Sequence, residues 1–269
     1  MKGIALHSVV PVRVEAREGA EMSTQMLFNE IFTIVVQKPR WTYIRLDSDG
    51  QEGWVDAKMI SPMKSKEYTD HKALLKTAAL VAMPMAYAVS ENNGQTIPLT
   101  AGTRLTNYKD GRFEVLGVGF RIDPSMVCVK PWELNQQNLL TAVRFFLNVP
   151  YLWGGKNAMG MDCSGFVQTV MSLFGKSLLR NASEQATQGR AVMKLSRAQA
   201  GDLVFFDHYE SSDKGEQSAA KITHVGIVID RERVIHCSGR VKVEKLDETG
   251  IYSTEQGGYT HRLVAIRRL

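Results

Sequence analysis

Only three cysteines, Cys128, Cys163 and Cys237, occur in 269 residues. They are too few and too scattered for a disulfide framework or a zinc site, and the chain implies no metal or other cofactor. Long hydrophobic runs are missing as well: no segment approaches the ~18 consecutive apolar residues of a membrane span. The amino terminus, Met1-Lys2-Gly3-Ile4-Ala5-Leu6-His7, holds a histidine and lacks the apolar core of a signal peptide. The expectation is a cytoplasmic protein if Met1 is the native start, or one of the cell envelope or periplasm if a signal segment has been removed. Charge of one sign does not dominate, with 33 Lys and Arg against 28 Asp and Glu and a net +5. The charges are dispersed, with no basic run and no basic–aromatic interleaving, which excludes an extended nucleic-acid surface. A monomer is expected.

What is present centres on Trp153-Gly154-Gly155 followed by Met161-Asp162-Cys163-Ser164-Gly165-Phe166. After Cys163 the apolar residues Phe166, Val167, Val170, Met171 and Phe174 recur with helical spacing, and Gly175 closes the run. Cys163 therefore falls at the start of a buried helix, where free backbone N–H groups favour a thiolate. A nucleophile needs a base. His224 and His236 stand downstream in strand-like settings, separated by the turn Asp230-Arg231-Glu232-Arg233. If 224 lies opposite 238, the two histidines share one face as diagonal neighbours, ~7–8 Å or less apart at Cβ. His224 would take the Cys163 proton, and His236 would hold the ring of His224 in its productive tautomer. One histidine in an apolar strand is usually structural; two on one face with a helix-initial cysteine point to catalysis. His7, His71, His208 and His261 lack such company and are expected at the surface or in structural roles. Cys128 and Cys237 sit in apolar strand-like runs and are expected in the core. For the oxyanion of an acyl intermediate, the backbone N–H of Cys163 is the natural donor. Asp162 beside a thiolate would raise the cysteine pKa, which makes sense if the carboxylate points outward to a cationic ligand group; the competing role is a helix N-cap. Trp153, ahead of two glycines, is divided between the core and a substrate wall.

Taken in order, residues 1–62 read as several short strands, among them 9–14, a β-rich stretch 27–36, 41–46 and Gly53-Trp54-Val55, which together suggest a small β-barrel filled by Trp41 and Trp54. Residues 63–131 repeat the theme more loosely, with a hairpin signal at Lys109-Asp110-Gly111. Residues 132–269 begin with a helix from about Asn135 that carries Leu139, Leu140, Val143 and Leu147, and continue with the Cys163 helix and a short helix after Arg180-Asn181-Ala182-Ser183. Strands follow at 201–206, 223–230, 233–239, 241–246 and 262–269, and residues 207–221 read as an exposed polar loop overhanging the site. Helices followed by an antiparallel meander make an α+β fold.

Asp-Cys-Ser-Gly-Phe, His-Val-Gly-Ile and a second histidine on the next strand resemble the NlpC-type cell-wall cysteine peptidases over the last half of the chain. The order Val-Arg, Leu-Phe-x-Glu, Trp-x-x-Ile and Gly-Trp-Val resembles a bacterial SH3-like domain. The resemblance implies a papain-like peptidase domain behind two SH3-like barrels, similar to the γ-D-glutamyl-L-diamino acid endopeptidases of murein-peptide turnover. It implies peptidoglycan-derived peptides as partners, which suits a mildly basic chain, and cleavage after L-Ala-γ-D-Glu with a free alanine amine required. On that resemblance Asp162, Ser164 and Ser183 would bind the dipeptide and Trp153 would wall the pocket. The first SH3-like domain would cap the cleft, with Glu21 meeting the amine and Tyr43 assisting through its hydroxyl. Gln51 stands where relatives often have an aromatic residue. Other readings of the same residues are a papain-like amidase or acyltransferase of different specificity, or a wall-binding protein whose peptidase domain is inactive.

Overall fold

The computed structural model describes residues 1–208 and 221–269. Most of the loop expected at 207–221 therefore lies outside the described residues. The chain divides into two compact units: residues 1–132 with 152–160, and residues 133–151 with 161–269.

In the first unit, β1 (Lys2–Ile4), β2 (Val9–Arg13), β3 (Met22–Leu27), β4 (Ile31–Gln37), β5 (Trp41–Leu46), β6 (Glu52–Asp56) and β7 (Ser61–Met63) form one antiparallel sheet in the order β3-β2-β6-β5-β4-β1-β7. Its inner face follows from period-two patterning: Val10 and Val12 point inward from β2 and meet Met26, Phe32, Ile44, Leu46 and Val55. The stretch 27–36 is not one strand. Asn29 adopts φ +71° and breaks it, and its buried amide donates to the Arg104 carbonyl at 2.9 Å and contacts His71 Nε2 at 2.7 Å. Trp41 is buried, but Trp54 is only half-buried and packs edge-on against Tyr43, with Lys38 over its ring at 4.4 Å.

A helix absent from the sequence expectation follows, α1 (Ser65–Leu75). Tyr68 and His71 are buried from it and Leu75 packs partly buried against the same core, a stripe with too few apolar members to stand out in the sequence. Then come β8 (Ala79–Val81), β9 (Met85–Ser90), β10 (Thr96–Thr100), β11 (Arg104–Leu105), β12 (Arg112–Val115), β13 (Val118–Ile122) and β14 (Val127–Cys128), in two small sheets ordered β10-β9-β13-β12 and β11-β8-β14. Lys109 and Arg112 exchange backbone hydrogen bonds around the expected turn. One hydrophobic cluster joins both stretches, since Phe28, Ile31, Met63 and Tyr68 pack with Leu99, Phe113, Val115 and Phe120.

The second unit opens with α2 (Gln136–Val143), capped by the Asn135 side chain. Leu139, Ala142, Val143 and Phe146 are buried at the i, i+3, i+4, i+7 spacing of one face, whereas Leu140 and Leu147, expected on the same face, fall outside it and are exposed. The chain passes through the first unit again at 152–160, with β15 (Lys156–Asn157) and the start of β16 (Gly160–Met161), before α3 (Cys163–Ser172), which is buried along nearly its whole length. Short α4 (Ala182–Gln185) and β17 (Arg190–Ala191) lead to β18 (Leu203–His208), β19 (His224–Asp230), β20 (Arg233–Ser238), β21 (Arg240–Leu246), β22 (Gly250–Ser253) and β23 (Gly258–Arg268). These last six run as an antiparallel series, and β23 pairs with both β18 and β22, closing a barrel. β22 was not expected from the sequence, and β23 begins earlier than expected. α3 packs against β19 and β20, which brings the cysteine helix onto the histidine strands.

Candidate active site

Pairing of β19 with β20 sets Gly226 opposite His236, so His224 lies diagonally across, as the hairpin spacing predicts. The imidazoles meet: His224 Nε2 is 2.8 Å from His236 Nδ1, with ring centroids 5.0 Å apart and planes nearly perpendicular. The row continues onto β21. Lys242 stands opposite His236, and Glu244, two residues on, places Oε2 2.9 Å from His236 Nε2. Lys242 Nζ holds the other oxygen, Oε1, at 3.1 Å. Burial pushes the Glu244 carboxyl up, but hydrogen bonds from His236 and Ser253, followed by the His236 charge and a hydrogen bond from Lys242, outweigh it and hold the pKa at about 2. Both histidines are driven toward the neutral form, first by burial. Glu244 was missed in the sequence. The signal was there: a strand at 241–246 following a turn at Gly239 puts 244 diagonal to 236.

His261 on β23 also escaped notice. Its ring lies 4.3 Å from that of His224, and burial, then the neighbouring histidines, bring its pKa down to about 4. It is a buried member of the cluster.

Cys163 opens α3, and its sulfur accepts backbone N–H bonds from Val225 and Ser164. The expectation of a resting thiolate is not met. Desolvation, followed by the Asp162 charge, pushes the Cys163 thiol up to about 11. The N–H groups of Val225 on β19 and of Ser164 at the helix start, with the Arg180 cation, pull the other way but are outweighed.

Asp162 does not point outward. It caps α3, accepting the Gly165 N–H at 2.7 Å, and it pairs with Arg180, whose Nη1 lies 3.0 Å from Oδ1. Arg180 is 1% exposed and also donates to the Ser164 hydroxyl at 2.8 Å. A carboxylate that has lost its hydration is stable only with such a partner, and the guanidinium fork fits it. Ser164 is buried in this cluster, whereas Ser183, on α4, is exposed. Arg180 was read only as part of a loop. Tyr151 was missed too; burial, then the charges of Cys163 and Asp162, raise its pKa, which keeps the phenol a neutral hydrogen-bond donor.

In the first unit, Trp153 is 60% exposed and donates its indole N–H to Glu21 Oε1 at 2.6 Å. Gly154 at φ +75° runs so close to Met22 that a Cβ would stand 2.3 Å from the Met22 carbonyl oxygen. The Gln25 side chain receives the N–H of Lys156 and the amide of Asn157, each at 2.8 Å. Tyr43 packs on Trp54, and burial followed by Glu52 raises its pKa. Cys128 and Cys237 are buried free thiols, as expected of core residues. No cluster of metal-ligating side chains occurs among the described residues.

The described geometry offers a thiol, a neutral histidine pair and an ionised carboxylate behind it, a set suited to acyl transfer through a thioester. Residues 148–268 match the NlpC/P60 family, and residues 12–60 match the bacterial dipeptidyl-peptidase SH3 domain. The chain is 29% identical over 262 residues to a gamma-D-glutamyl-L-lysine dipeptidyl-peptidase of Bacillus subtilis, covering 92% of this chain and 81% of that one. It is 25% identical to a protein of the same name from Bacillus cereus, covering 80% and 67%. A crystal structure of an NlpC/P60 family protein from Bacillus cereus shares the fold, with a TM-score of 0.79 at 19% identity over 100% of this chain and 99% of that chain.

Proposed function

The chain carries an NlpC/P60 cysteine-peptidase domain behind an amino-terminal bacterial SH3 domain, and we propose that it hydrolyses the γ-D-glutamyl-L-diamino acid bond of murein peptides bearing a free amino-terminal L-Ala. Cys163 is the nucleophile, His224 its base and His236 the orienter of that base. The Cys163 proton passes to the free nitrogen of His224 as sulfur adds to the γ-carbonyl carbon. The resulting oxyanion draws on the Cys163 backbone N–H and the Tyr151 hydroxyl. His224 then returns the proton to the departing diamino-acid nitrogen, leaving a thioester that water cleaves with His224 again as base. Burial raises the Cys163 thiol to about 11 and keeps His224 neutral, so the thiol depends on His224 to take its proton.

The observation that carries this reading is the His224–His236 bond at 2.8 Å on the strands against which the Cys163 helix packs. The names of the two Bacillus relatives support the γ-D-glutamyl-L-diamino acid bond and release of a dipeptide; the murein source and the free L-Ala rest on the family resemblance. Arg180 already neutralises Asp162, so Glu21 is the better candidate for the alanine ammonium, with Trp153 alongside it. Ser183 and Tyr43 are kept as peptide contacts; Ser164 and Asp162 act from beneath, by shaping the start of α3.

Mass spectrometry of products from L-Ala-γ-D-Glu-diamino acid peptides tests the proposal. Release of L-Ala-γ-D-Glu is expected, with little or none when the amine is acetylated or joined to a muramyl sugar, and none for Cys163→Ser. Equal rates on free and acetylated peptides would remove the amine requirement. Turnover by Cys163→Ser would remove the nucleophile.

A further inference from the structure

The contact between two neutral imidazoles can be wired in either direction, and only one wiring leaves His224 a base. We propose that Glu244, with Lys242 bound to its other oxygen, is a positioning residue that sets the tautomers of both His236 and His224. The inference rests on the roles of Cys163 and His224 given above, and follows from counting donors and acceptors along the row. A carboxylate only accepts hydrogen bonds, so the hydrogen between His236 Nε2 and Glu244 Oε2, 2.9 Å apart, sits on His236. A neutral His236 protonated at Nε2 presents a bare Nδ1. The hydrogen in the 2.8 Å contact to His224 then belongs to His224 Nε2. That leaves His224 Nδ1 with a lone pair, the state required to take the Cys163 proton.

Lys242 makes the arrangement sensitive to one atom. Its ammonium donates to Glu244 Oε1 at 3.1 Å, so each carboxylate oxygen already has a donor. An amide at position 244 has one oxygen, and the ammonium claims it. Its NH₂ then faces His236 Nε2, which must become an acceptor. His236 must carry its hydrogen on Nδ1, His224 must accept at Nε2, and His224 Nδ1 becomes protonated. The isosteric change Glu244→Gln therefore reverses the whole row and disarms the base with no change of shape.

The test uses the full chain labelled with ¹⁵N. Long-range ¹H–¹⁵N spectra of the unsubstituted protein are expected to show both His236 and His224 protonated at Nε2; either one found protonated at Nδ1 overturns the proposal, whatever the variants do. Glu244→Gln is expected to move both protons to Nδ1. It should lower kcat on the murein peptide by about 10²-fold or more with KM little changed, and slow iodoacetamide alkylation of Cys163. Glu244→Gln with Lys242→Met frees the amide to turn its oxygen toward His236, and should restore the Nε2 tautomers and about tenfold or more of the lost rate. Unchanged tautomers in Glu244→Gln, or a double variant no better than the single one, would sink the idea. Failure of the unsubstituted protein to cleave the peptide would count against the substrate assignment instead, because the spectra and the alkylation rate need no substrate.

Discussion

At the scale of single residues, the pair Asp162–Arg180 explains how a carboxylate can sit next to a nucleophilic cysteine. Asp162 has to be there for its capping oxygen, which starts α3 at Cys163. Left alone, its charge would push the thiol higher still; Arg180 offsets that and is itself buried, so each ion depends on the other. Removing one partner strands the other. Arg180→Met is expected to cost about 3–5 kcal/mol of stability, measured by urea unfolding. Arg180→Met with Asp162→Asn should recover part of it, because the buried charge is gone while the amide still caps. A single variant as stable as the parent would mean that water reaches Asp162.

Among the elements, β19 and β20 position the histidines through the closeness of Gly226 to the neighbouring strand. A Cβ on Gly226 would lie 2.6 Å from Val234 Cγ2 and 3.1 Å from His236 Cβ. The backbone of β20 cannot back away, since β21 holds its far side. Gly226→Ala is therefore expected to displace His236 from His224, lowering kcat while costing about 1–3 kcal/mol. Turnover and thermal unfolding measured side by side check this; loss of stability with full activity would show that β20 moves as a rigid strand and carries His236 with it.

For the molecule as a whole, the buried histidine cluster imposes a pH dependence on folding. His224 is faced by His208 on β18, His236 on β20, Lys242 on β21 and His261 on β23. Burial holds His224, His236 and His261 below their ordinary 6.5, with His261 at about 4. The unfolded chain binds protons at these residues as pH falls below about 6.5, while the folded chain resists, His261 until about 4, so stability drops as pH falls below 6.5. Glu244 adds to the loss below its ordinary 4.5, since its folded pKa is about 2. Melting temperature is expected to fall steadily from pH 7 to pH 4, and His261→Phe, which keeps a ring beside His224 without a titrating nitrogen, should flatten the slope. A slope unchanged by that substitution would place the linkage in other groups.

While leaving Asp162 between a helix cap and an outward-pointing ligand, the sequence by itself determined the nucleophile helix and which two histidines could meet on one face. These follow from local periodicity: the apolar spacing after Cys163, the stop at Gly175, and a hairpin whose turn length makes 224 and 236 diagonal. It also determined the order of β-rich and peptidase regions, through residues shared with a known family. Local pattern could not show α1, whose inward face amounts to Tyr68, His71 and the half-buried Leu75, or the break at Asn29, whose left-handed backbone is secured by Arg104 and His71 far along the chain. Nor could it settle the electrostatics. The resting state of Cys163, the direction of the Asp162 carboxylate and the orientation of both imidazoles depend on partners 16 to 18 residues away or on separate strands, and on how completely water is excluded. Chain spacing determines which side chains can meet, but desolvation and charge pairing, which decide their protonation, exist only once the tertiary structure has closed around them.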